Sequence, residues 1–383
     1  MQEDISANSL STKWYDFFNK YAEDLYPGRY THEMCKNLAN IYLEIKNLKQ
    51  KKDSIILSHN YLYPEFHEIS DNIGDSLGLS LFVREKQCKR VDFQGVYFMG
   101  SNSKIIVGNE KRLFIPDKPE KLGCSLVDSI DISFIKDWKE KHDGVVISYI
   151  NSDIYTKSLS DYICTSRNAD KVIINAIKKF KEKKILVLPD KNLGRIMKAR
   201  AVDFLKEEGI NLNPDLIEVY EQKKAYCHVH EKINLDYILS MIDKHKESDL
   251  LIHPECSCSF QLYEIAKEDK ELKKKLFIVS TEQMVSSAKK SSAKSFIVGT
   301  EKGMVYRLRK EIPEKEFLAI DFAQCEYMKE NTLEKLLNSL KNDKYEIFIS
   351  DTEKTESRED GIYLPRKTAE WAKVAIERML EIR

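Results

Sequence analysis

Hydrophobic residues recur at two different spacings along this chain. In residues 1 to about 50 they repeat at helical intervals, as in WYDFFNKYAEDLY and MCKNLANIYLEIKNLKQKK, which predicts an N-terminal helical extension. From Ser54 onward, short apolar runs alternate with charged helical stretches. That alternation is typical of βαβ units built on parallel strands. We therefore expect an α/β protein preceded by helices.

The apolar runs fall into three sets of three predicted strands, each followed by one cysteine. The sets are 55–58, 96–99 and 113–116; 145–148, 185–188 and 215–220; and 250–253, 277–280 and 296–299. Cys124, Cys227 and Cys325 each lie about 70 to 80 residues after their set begins, which indicates an internal repeat. We predict three α/β/α units over 51–140, 141–245 and 246–350, followed by a C-terminal helical tail over 351–383 that packs back on the core.

Composition narrows the class of protein. The 383 residues include 62 Lys and Arg and 62 Asp and Glu, so no net charge favours nucleic acid or an anionic membrane as partner. No run approaches the roughly 18 apolar residues of a membrane span, and the N-terminus has no apolar core of a signal peptide. These features predict a cytoplasmic protein that acts on small molecules.

The cysteines are the first candidates for chemistry. Cytoplasmic thiols are kept reduced, so the eight cysteines are expected to bind metal or to be buried. In AYCHVHEKI, a single zinc site is disfavoured because His228 and His230 would point in different directions and no second ligand pair follows. Three thiolates from three units suit an iron–sulfur cluster with one open position. Plain core cysteines remain the alternative at this point.

Polar residues follow the predicted strands where an open parallel sheet binds ligands. They are His59, Tyr61, Tyr149, Asn151, His253, Glu255, Ser280 and Thr281. Two predicted helix starts add Ser76, in SDNIGDSLGLS, and Ser166 with Asn168, in CTSRNADK. Hydroxyl and amide groups there bind phosphate or carboxylate, or simply cap the helix, and both interpretations stay open.

Several stretches together resemble the quinolinate synthase family. They run in family order from about residue 54 to 340 and end with an RML-containing tail: SHNYLYPEFHEISDNIGDSLGLS, PEKLGCSLVDSI, SYINSDIYTKSLSDYICTSRNADKV, LPDKNLG, YCHVHEKI, LIHPEC, VSTEQM, FIVGTEKGMVYRL and CEYMKENTLEKL. The resemblance implies three Rossmann-like units around a pseudo-threefold axis and a central active site. It also implies that Cys124, Cys227 and Cys325 hold a [4Fe–4S] cluster whose open iron acts as a Lewis acid.

The family reaction condenses iminoaspartate with dihydroxyacetone phosphate to quinolinate in NAD biosynthesis, and an L-aspartate oxidase would supply the iminoaspartate. By motif position, Glu255 resembles the catalytic base, Tyr149 and Asn151 orient the intermediate, and His59 and Tyr61 join the catalytic set. The resemblance implies a substrate-binding set of His59, Tyr61, Ser76, Tyr149, Asn151, Ser166, Asn168, His230, His253, Glu255, Ser280, Thr281 and Thr300.

Some positions depart from the family pattern. Asn60, Leu62 and Ser101 replace residues that the family usually has beside the site. One alternative is therefore a paralogue with the same cluster chemistry on another imino acid or phosphorylated ketose. Another is a non-catalytic iron–sulfur sensor that uses Cys256 and Cys258 of CSCSF as a redox pair.

Overall fold

The structure is a computed structural model that describes residues 6–382. The chain divides into two compact units. The first unit comprises Met1–Leu122 and Glu301–Leu364, and the second comprises Gly123–Thr300 and Pro365–Arg383. Across residues 6–382, no helix is long and apolar enough to cross a membrane.

The first unit begins with two helices. The side-chain oxygens of Ser6 and Thr31 cap their N-termini by accepting hydrogen bonds from backbone N–H groups. Its elements are α1 (Ala7–Ala22), α2 (His32–Lys51), β1 (Ser54–His59), α3 (Pro64–Ile69), β2 (Asn72–Gly74), α4 (Ser76–Glu85), β3 (Arg90–Gln94), α5 (Tyr97–Val107) and β4 (Arg112–Phe114). Helix α1 buries Leu10, Trp14 and Phe18, one face at helical spacing, as the hydrophobic pattern predicts.

The second unit continues with the same alternation of strands and helices. Its elements are α6 (Ile132–His142), β5 (Val145–Tyr149), α7 (Ile154–Leu159), β6 (Tyr162–Cys164), α8 (Ala169–Phe180), β7 (Ile185–Leu188), α9 (Lys191–Glu207), β8 (Ile217–Val219), α10 (Leu235–Lys244), β9 (Asp249–Ile252), α11 (Ser259–Glu268), α12 (Lys270–Lys275), β10 (Leu276–Ile278), α13 (Thr281–Lys290) and β11 (Ser295–Gly299).

The C-terminal part returns to the first unit before the last helix. Its elements are α14 (Gly303–Glu311), β12 (Glu316–Leu318), α15 (Glu326–Lys329), α16 (Leu333–Asn342), β13 (Glu346–Ser350), β14 (Glu356–Ser357), β15 (Gly361–Pro365) and α17 (Arg366–Leu380). The helical part of the predicted tail is therefore α17, which packs on α7 and β6 within the second unit. The five predicted segment boundaries stay a prediction.

Each unit of the predicted repeat contains a short parallel sheet. The first sheet runs β2-β1-β3-β4 and is extended by β13, β15 and β14, and the second runs β6-β5-β7-β8. In the third sheet, β10, β9 and β11 are neighbours in that order. The neighbouring strands within these three groups pair in parallel. The α/β class with three short parallel sheets is confirmed.

Two details of the strand prediction are wrong. The run VYFM, residues 96–99, begins helix α5, and the strand of that set is β3 at Arg90–Gln94. A short apolar run has no periodicity that separates a buried strand from a buried helix. Strands β2 and β6 were not predicted because three residues are too few to show alternation.

Candidate functional site

In the first unit, the polar residues after β1 lie close together. His59 is the last residue of β1, and its ring meets the Tyr61 ring edge to face with centroids 4.6 Å apart. The backbone N–H of Tyr61 donates to His59 Nδ1 at 3.3 Å. Both side chains are buried, with exposed fractions of 5% and 9%. This turn therefore presents an imidazole and a phenol in a fixed relation.

Ser76 is the first residue of α4 and is buried. It is not the cap of that helix, because the Asp75 side chain accepts from the backbone N–H of Gly78 at 2.8 Å. The capping alternative for Ser76 is therefore wrong, and its predicted contact with substrate stays a prediction.

In the second unit, the residues after β5 and β9 converge on the carboxylate of Glu255. Asn151 Nδ2 donates to Glu255 Oε1 at 3.3 Å, and the Tyr149 hydroxyl also hydrogen-bonds the carboxylate. His230 Nδ1 lies 2.9 Å and His253 Nδ1 3.7 Å from Glu255 Oε2. The two imidazole rings stack with centroids 4.7 Å apart. Five predicted residues thus form one buried polar cluster, which we call the Glu255 cluster.

The ionisable residues of the Glu255 cluster differ in their pKa values, and therefore in their charge. Burial raises the pKa of Glu255, but the hydrogen bond and charge of His230 outweigh it and lower the pKa to about 2. Burial lowers the pKa of His230, whereas Cys227 and Glu255 raise it to about 10. Burial lowers the pKa of His253 to about 3. The cluster therefore holds a carboxylate and an imidazolium beside a neutral histidine.

His230 also connects the cluster to two further predicted residues. Its Nε2 lies 3.1 Å from Thr300 Oγ1, at the end of β11. Its ring also hydrogen-bonds the side chain of Cys227. Ligand atoms of Cys227, His230 and Glu255 all lie within 4.8 Å of one another, so these three residues can hold a metal ion. A sulfur, a nitrogen and an oxygen donor in one buried group would suit a transition metal.

The loops that carry Cys124 and Cys227 are neighbours within the second unit. Ser125 Oγ and His228 Nδ1, each next to one of these cysteines in sequence, lie 2.9 Å apart. The charge of Cys124 raises the pKa of Cys227 slightly, while burial is the main cause of its increase to about 11. Side chains of His228 and His230 have different partners, as expected from the sequence. Neither cysteine forms a disulfide.

Cys325 belongs to the first unit, where it immediately precedes α15. Burial raises the pKa of its thiol to about 11, although the backbone N–H groups of Met328 and Tyr327 oppose the shift. Amide groups at a helix N-terminus stabilise a negatively charged sulfur. The position therefore offers a sulfur ligand with backbone N–H donors beside it.

The other predicted residues lie at helix starts of the second unit. Asn168 precedes α8, and its Oδ1 accepts from the backbone N–H of Thr165 at 2.8 Å, while Ser166 lies in the same buried turn. Ser280 caps α13 in a capping box with Gln283, and the next residue, Thr281, is buried. Helix capping thus occupies Ser280, and the ligand contacts of the set stay a prediction.

Asp190 and Asn192, which the sequence pattern did not single out, support the cluster. Asp190 Oδ2 accepts from the backbone N–H of Cys227 at 3.1 Å, and burial raises its pKa, helped by the charge of Glu255. Asn192 Nδ2 donates to the backbone carbonyl of Glu255 at 3.1 Å. Both follow β7 in LPDKNLG, so the rule that polar residues gather after parallel strands would have found them.

Comparison with known proteins identifies the family. Residues 43–381 match the family model described as Quinolinate synthetase A protein. The quinolinate synthase of Pyrobaculum aerophilum is 38% identical over 341 residues, which cover 88% of this chain and 98% of that protein. The quinolinate synthase of Thermus thermophilus is 36% identical over 311 residues, covering 80% and 91%.

A third relative extends the comparison. Quinolinate synthase 2 of Methanosarcina acetivorans is 33% identical over 341 residues, covering 88% of this chain and 94% of that protein. The family match includes the Glu255 cluster and all three candidate cysteine ligands, and these relatives each cover at least 80% of the chain. The chain therefore belongs to the quinolinate synthetase A family of enzymes.

Proposed function

We propose that this protein is a cytoplasmic quinolinate synthase that condenses iminoaspartate with dihydroxyacetone phosphate, losing phosphate and water. An L-aspartate oxidase would supply the iminoaspartate. The observation that carries the proposal is the Glu255 cluster, in which Tyr149, Asn151, His230 and His253 surround one buried carboxylate. Membership of the quinolinate synthetase A family supports a catalytic role for this cluster.

The cofactor in this proposal is a [4Fe–4S] cluster bound by Cys124, Cys227 and Cys325. The donor set fits that group, because none of the three cysteines is in a disulfide and the loops of Cys124 and Cys227 adjoin each other. When bound, such a cluster with one open iron supplies a Lewis acid that polarises substrate oxygens. Cys325 is included because the sequence resemblance implies that it is the third ligand.

The protein residues would bind, orient and transfer protons. Glu255 Oε2 lies 2.9 Å from His230 Nδ1, so the His230 imidazolium would keep the carboxylate ionised and able to accept a proton from substrate. The Tyr149 hydroxyl and the Asn151 amide fix the orientation of the same carboxylate. Tyr149, His230, His253 and Glu255 are buried, and their burial would limit the access of water to a hydrolysable imine.

The remaining predicted residues would bind the two substrates. His59, Tyr61 and Ser76 in the first unit, and Ser166, Asn168, Ser280, Thr281 and Thr300 in the second, supply hydroxyl, amide and imidazole groups suited to carboxylate and phosphate oxygens. Most of these groups are buried, so their contacts with ligand would be made without competition from water.

The alternatives lack a specific observation in their favour. Asn60 Oδ1 accepts a hydrogen bond from Arg307, Leu62 is fully buried, and Ser101 Oγ donates to a helix carbonyl, so packing accounts for these departures from the family pattern. Cys256 and Cys258 are free and fully buried, which does not suit an exposed redox switch.

The test combines metal analysis with turnover. Protein purified without oxygen should contain iron and acid-labile sulfide and should form quinolinate from the two substrates. Glu255→Gln should keep the iron and sulfide but lower kcat by about 10²- to 10⁴-fold, the usual effect of losing a general base. Cys227→Ala should lose iron and sulfide, whereas the controls Glu247→Gln and Cys88→Ala should change neither property.

Another result would point to the mononuclear metal group instead. If the protein contained zinc without sulfide, and if Glu255→Gln lost that metal, then Cys227, His230 and Glu255 would be its ligands. That outcome would contradict the iron–sulfur proposal.

A further inference from the structure

A buried lysine, Lys329, lies beside the Tyr61 turn in the first unit. The Lys329 side chain is 4% exposed, and its ammonium group donates to the Tyr61 carbonyl, to the Tyr26 hydroxyl at 2.8 Å and to Glu301 Oε1 at 3.0 Å. An ammonium group has three donors, and each has an acceptor here. The lysine is therefore fully committed to protein contacts.

Its partner Glu301 is fully buried and reaches two other backbone segments. Glu301 Oε2 accepts from the Gly303 N–H at 2.6 Å, and Oε1 accepts from the Cys325 N–H at 3.5 Å. A Cβ atom on residue 303 would lie 2.7 Å from Glu301 Oε2 and 3.0 Å from the Tyr61 carbonyl oxygen. A larger residue would displace one of these atoms, so three segments approach one another closely around this ion pair.

Energetics argue against a purely stabilising role. A buried ion pair contributes little net stability, because desolvation of both charges offsets their attraction. Apolar side chains of similar size would hold the same space at lower cost. The pair does, however, connect two backbone groups. It joins the carbonyl of Tyr61, a candidate substrate-binding residue, to the N–H of Cys325, a candidate ligand of the iron–sulfur cluster.

We propose that Lys329 and Glu301 form a positioning pair that fixes the Tyr61 turn and the Cys325 loop in one geometry. The inference rests on the proposed function for the roles of Tyr61 and Cys325. Neither Lys329 nor Glu301 needs to touch substrate, because each acts through the backbone of another residue. The pair thus couples substrate binding to ligand geometry inside the first unit.

The test is amide hydrogen exchange on the anaerobically purified full chain, which requires no turnover. In Lys329→Met, peptides that contain the Tyr61 turn and the Cys325 loop should exchange at least about tenfold faster, as expected from losing a charged hydrogen bond. Peptides from residues 145–152 of the second unit should be unchanged. The control Lys335→Met removes a more exposed lysine of the same unit, which pairs with Asp117 and Glu330, and should leave both segments protected.

A double variant separates positioning from charge balance. Lys329→Met alone leaves Glu301 buried without its cation, so Lys329→Met with Glu301→Gln should recover most of the lost stability. The Tyr61 carbonyl still lacks its donor, so fast exchange at its turn should persist, and the KM for iminoaspartate should rise about tenfold with a smaller change in kcat. Lys329→Arg, which keeps the charge and donors, should restore part of the protection.

Several outcomes would overturn the inference. Unchanged exchange in Lys329→Met would do so, and so would a double variant that regains full protection, because charge compensation alone would then explain the pair. If Lys329→Met fails to fold, the double variant supplies the same measurement. Wild-type protein that forms no quinolinate but loses protection in Lys329→Met would sink the proposed function and leave the positioning pair standing.

Discussion

Two segments of the chain, residues 54–76 and residues 144–166, have the same internal hydrogen bonds but different chemistry. In the first segment, the Ile56 N–H donates to Asp71 Oδ2 at 2.7 Å, and the Asp71 N–H donates to the Ile56 carbonyl at 2.8 Å. In the second segment, Val146 and Asp161 repeat both bonds, each at 2.8 Å. A lysine pairs with each aspartate. In both segments, the aspartate just before the second strand is thus hydrogen-bonded to the backbone of the first strand.

A serine pair repeats in the same way. Ser58 Oγ and Ser70 Oγ lie 2.5 Å apart, and Ser148 Oγ and Ser160 Oγ lie 2.6 Å apart, each pair joining a strand to the end of the following helix. The residue after each strand serine differs, however, since His59 ends β1 whereas the matching position of β5 is a tyrosine. The comparison teaches that local hydrogen bonds fix the scaffold and leave the strand-end side chains free to diverge.

The short helices of the two segments differ at one buried basic position. His67 in α3 is 4% exposed and its ring meets Tyr306 edge to face, whereas Lys157 in α7 is 0% exposed and donates to the Ser152 carbonyl and hydroxyl. Burial lowers the pKa of His67 well below its usual range, with Lys310 the largest of the nearby charges that add to this effect. Burial also lowers the pKa of Lys157 to about 7.

The largest effect should come from replacing Lys157. Its pKa is 10.5 in the unfolded chain and about 7 in the folded protein, so the unfolded state binds more protons between these values and stability rises with pH. From pH 7 to pH 10 we expect wild-type protein to gain about 4 kcal/mol of unfolding free energy relative to Lys157→Met. Urea unfolding of both proteins across this range measures the difference.

The matching replacement in the first segment should act at acid pH. Because the folded pKa of His67 lies below the unfolded value of 6.5, wild-type stability should fall as pH drops below 6.5. His67→Met should remove up to about 2 kcal/mol of that loss at pH 5. Equal pH profiles for His67→Met and Lys157→Met would contradict the prediction that these two equivalent buried residues titrate in different pH ranges.

A smaller effect is expected from the aspartates, and it should be the same in both segments. Asp71→Ala and Asp161→Ala each leave a strand N–H without its acceptor, which costs about 2 kcal/mol. Asp16→Ala, on the exposed face of α1, is the control and should change stability by less than about 0.5 kcal/mol. A large difference between the two aspartate variants in urea unfolding would show that the shared bonds do not serve the same purpose.

The periodicity of hydrophobic residues predicts the fold, but it does not reveal the shortest strands. The strands 145–148, 185–188 and 296–299 are mostly apolar and were predicted correctly, whereas the three-residue strand β6 was missed. The bond between Ser148 and Ser160 also had no signal, because two serines twelve residues apart have no periodic pattern.

The candidate site shows the same limit. The strand-end positions of Tyr149, Asn151 and Glu255 were predicted from the sequence, but their roles came from the family resemblance, because residues over 100 positions apart meet there, as Asn151 and Glu255 do. Periodicity places residues on faces and at strand ends but does not pair distant loops. Lys329 and Glu301 were passed over for that reason: a lysine in a charged helical stretch is usually solvated, and only the fold shows that this one is buried.

The smallest effect should come from the serine pairs, and it asks whether the two scaffolds are equally strong. Ser58→Ala and Ser148→Ala each remove one buried hydrogen bond, while Ser70 and Ser160 keep helix carbonyls as partners. Since no buried donor is left unpaired, each variant should lose only about 1 kcal/mol of unfolding free energy. Ser240→Ala, at an exposed serine of α10, is the control for urea unfolding. Equal losses would mean that divergence at His59 and Tyr149 was built on one unchanged scaffold, whereas a loss confined to one segment would mean that the scaffold itself has diverged.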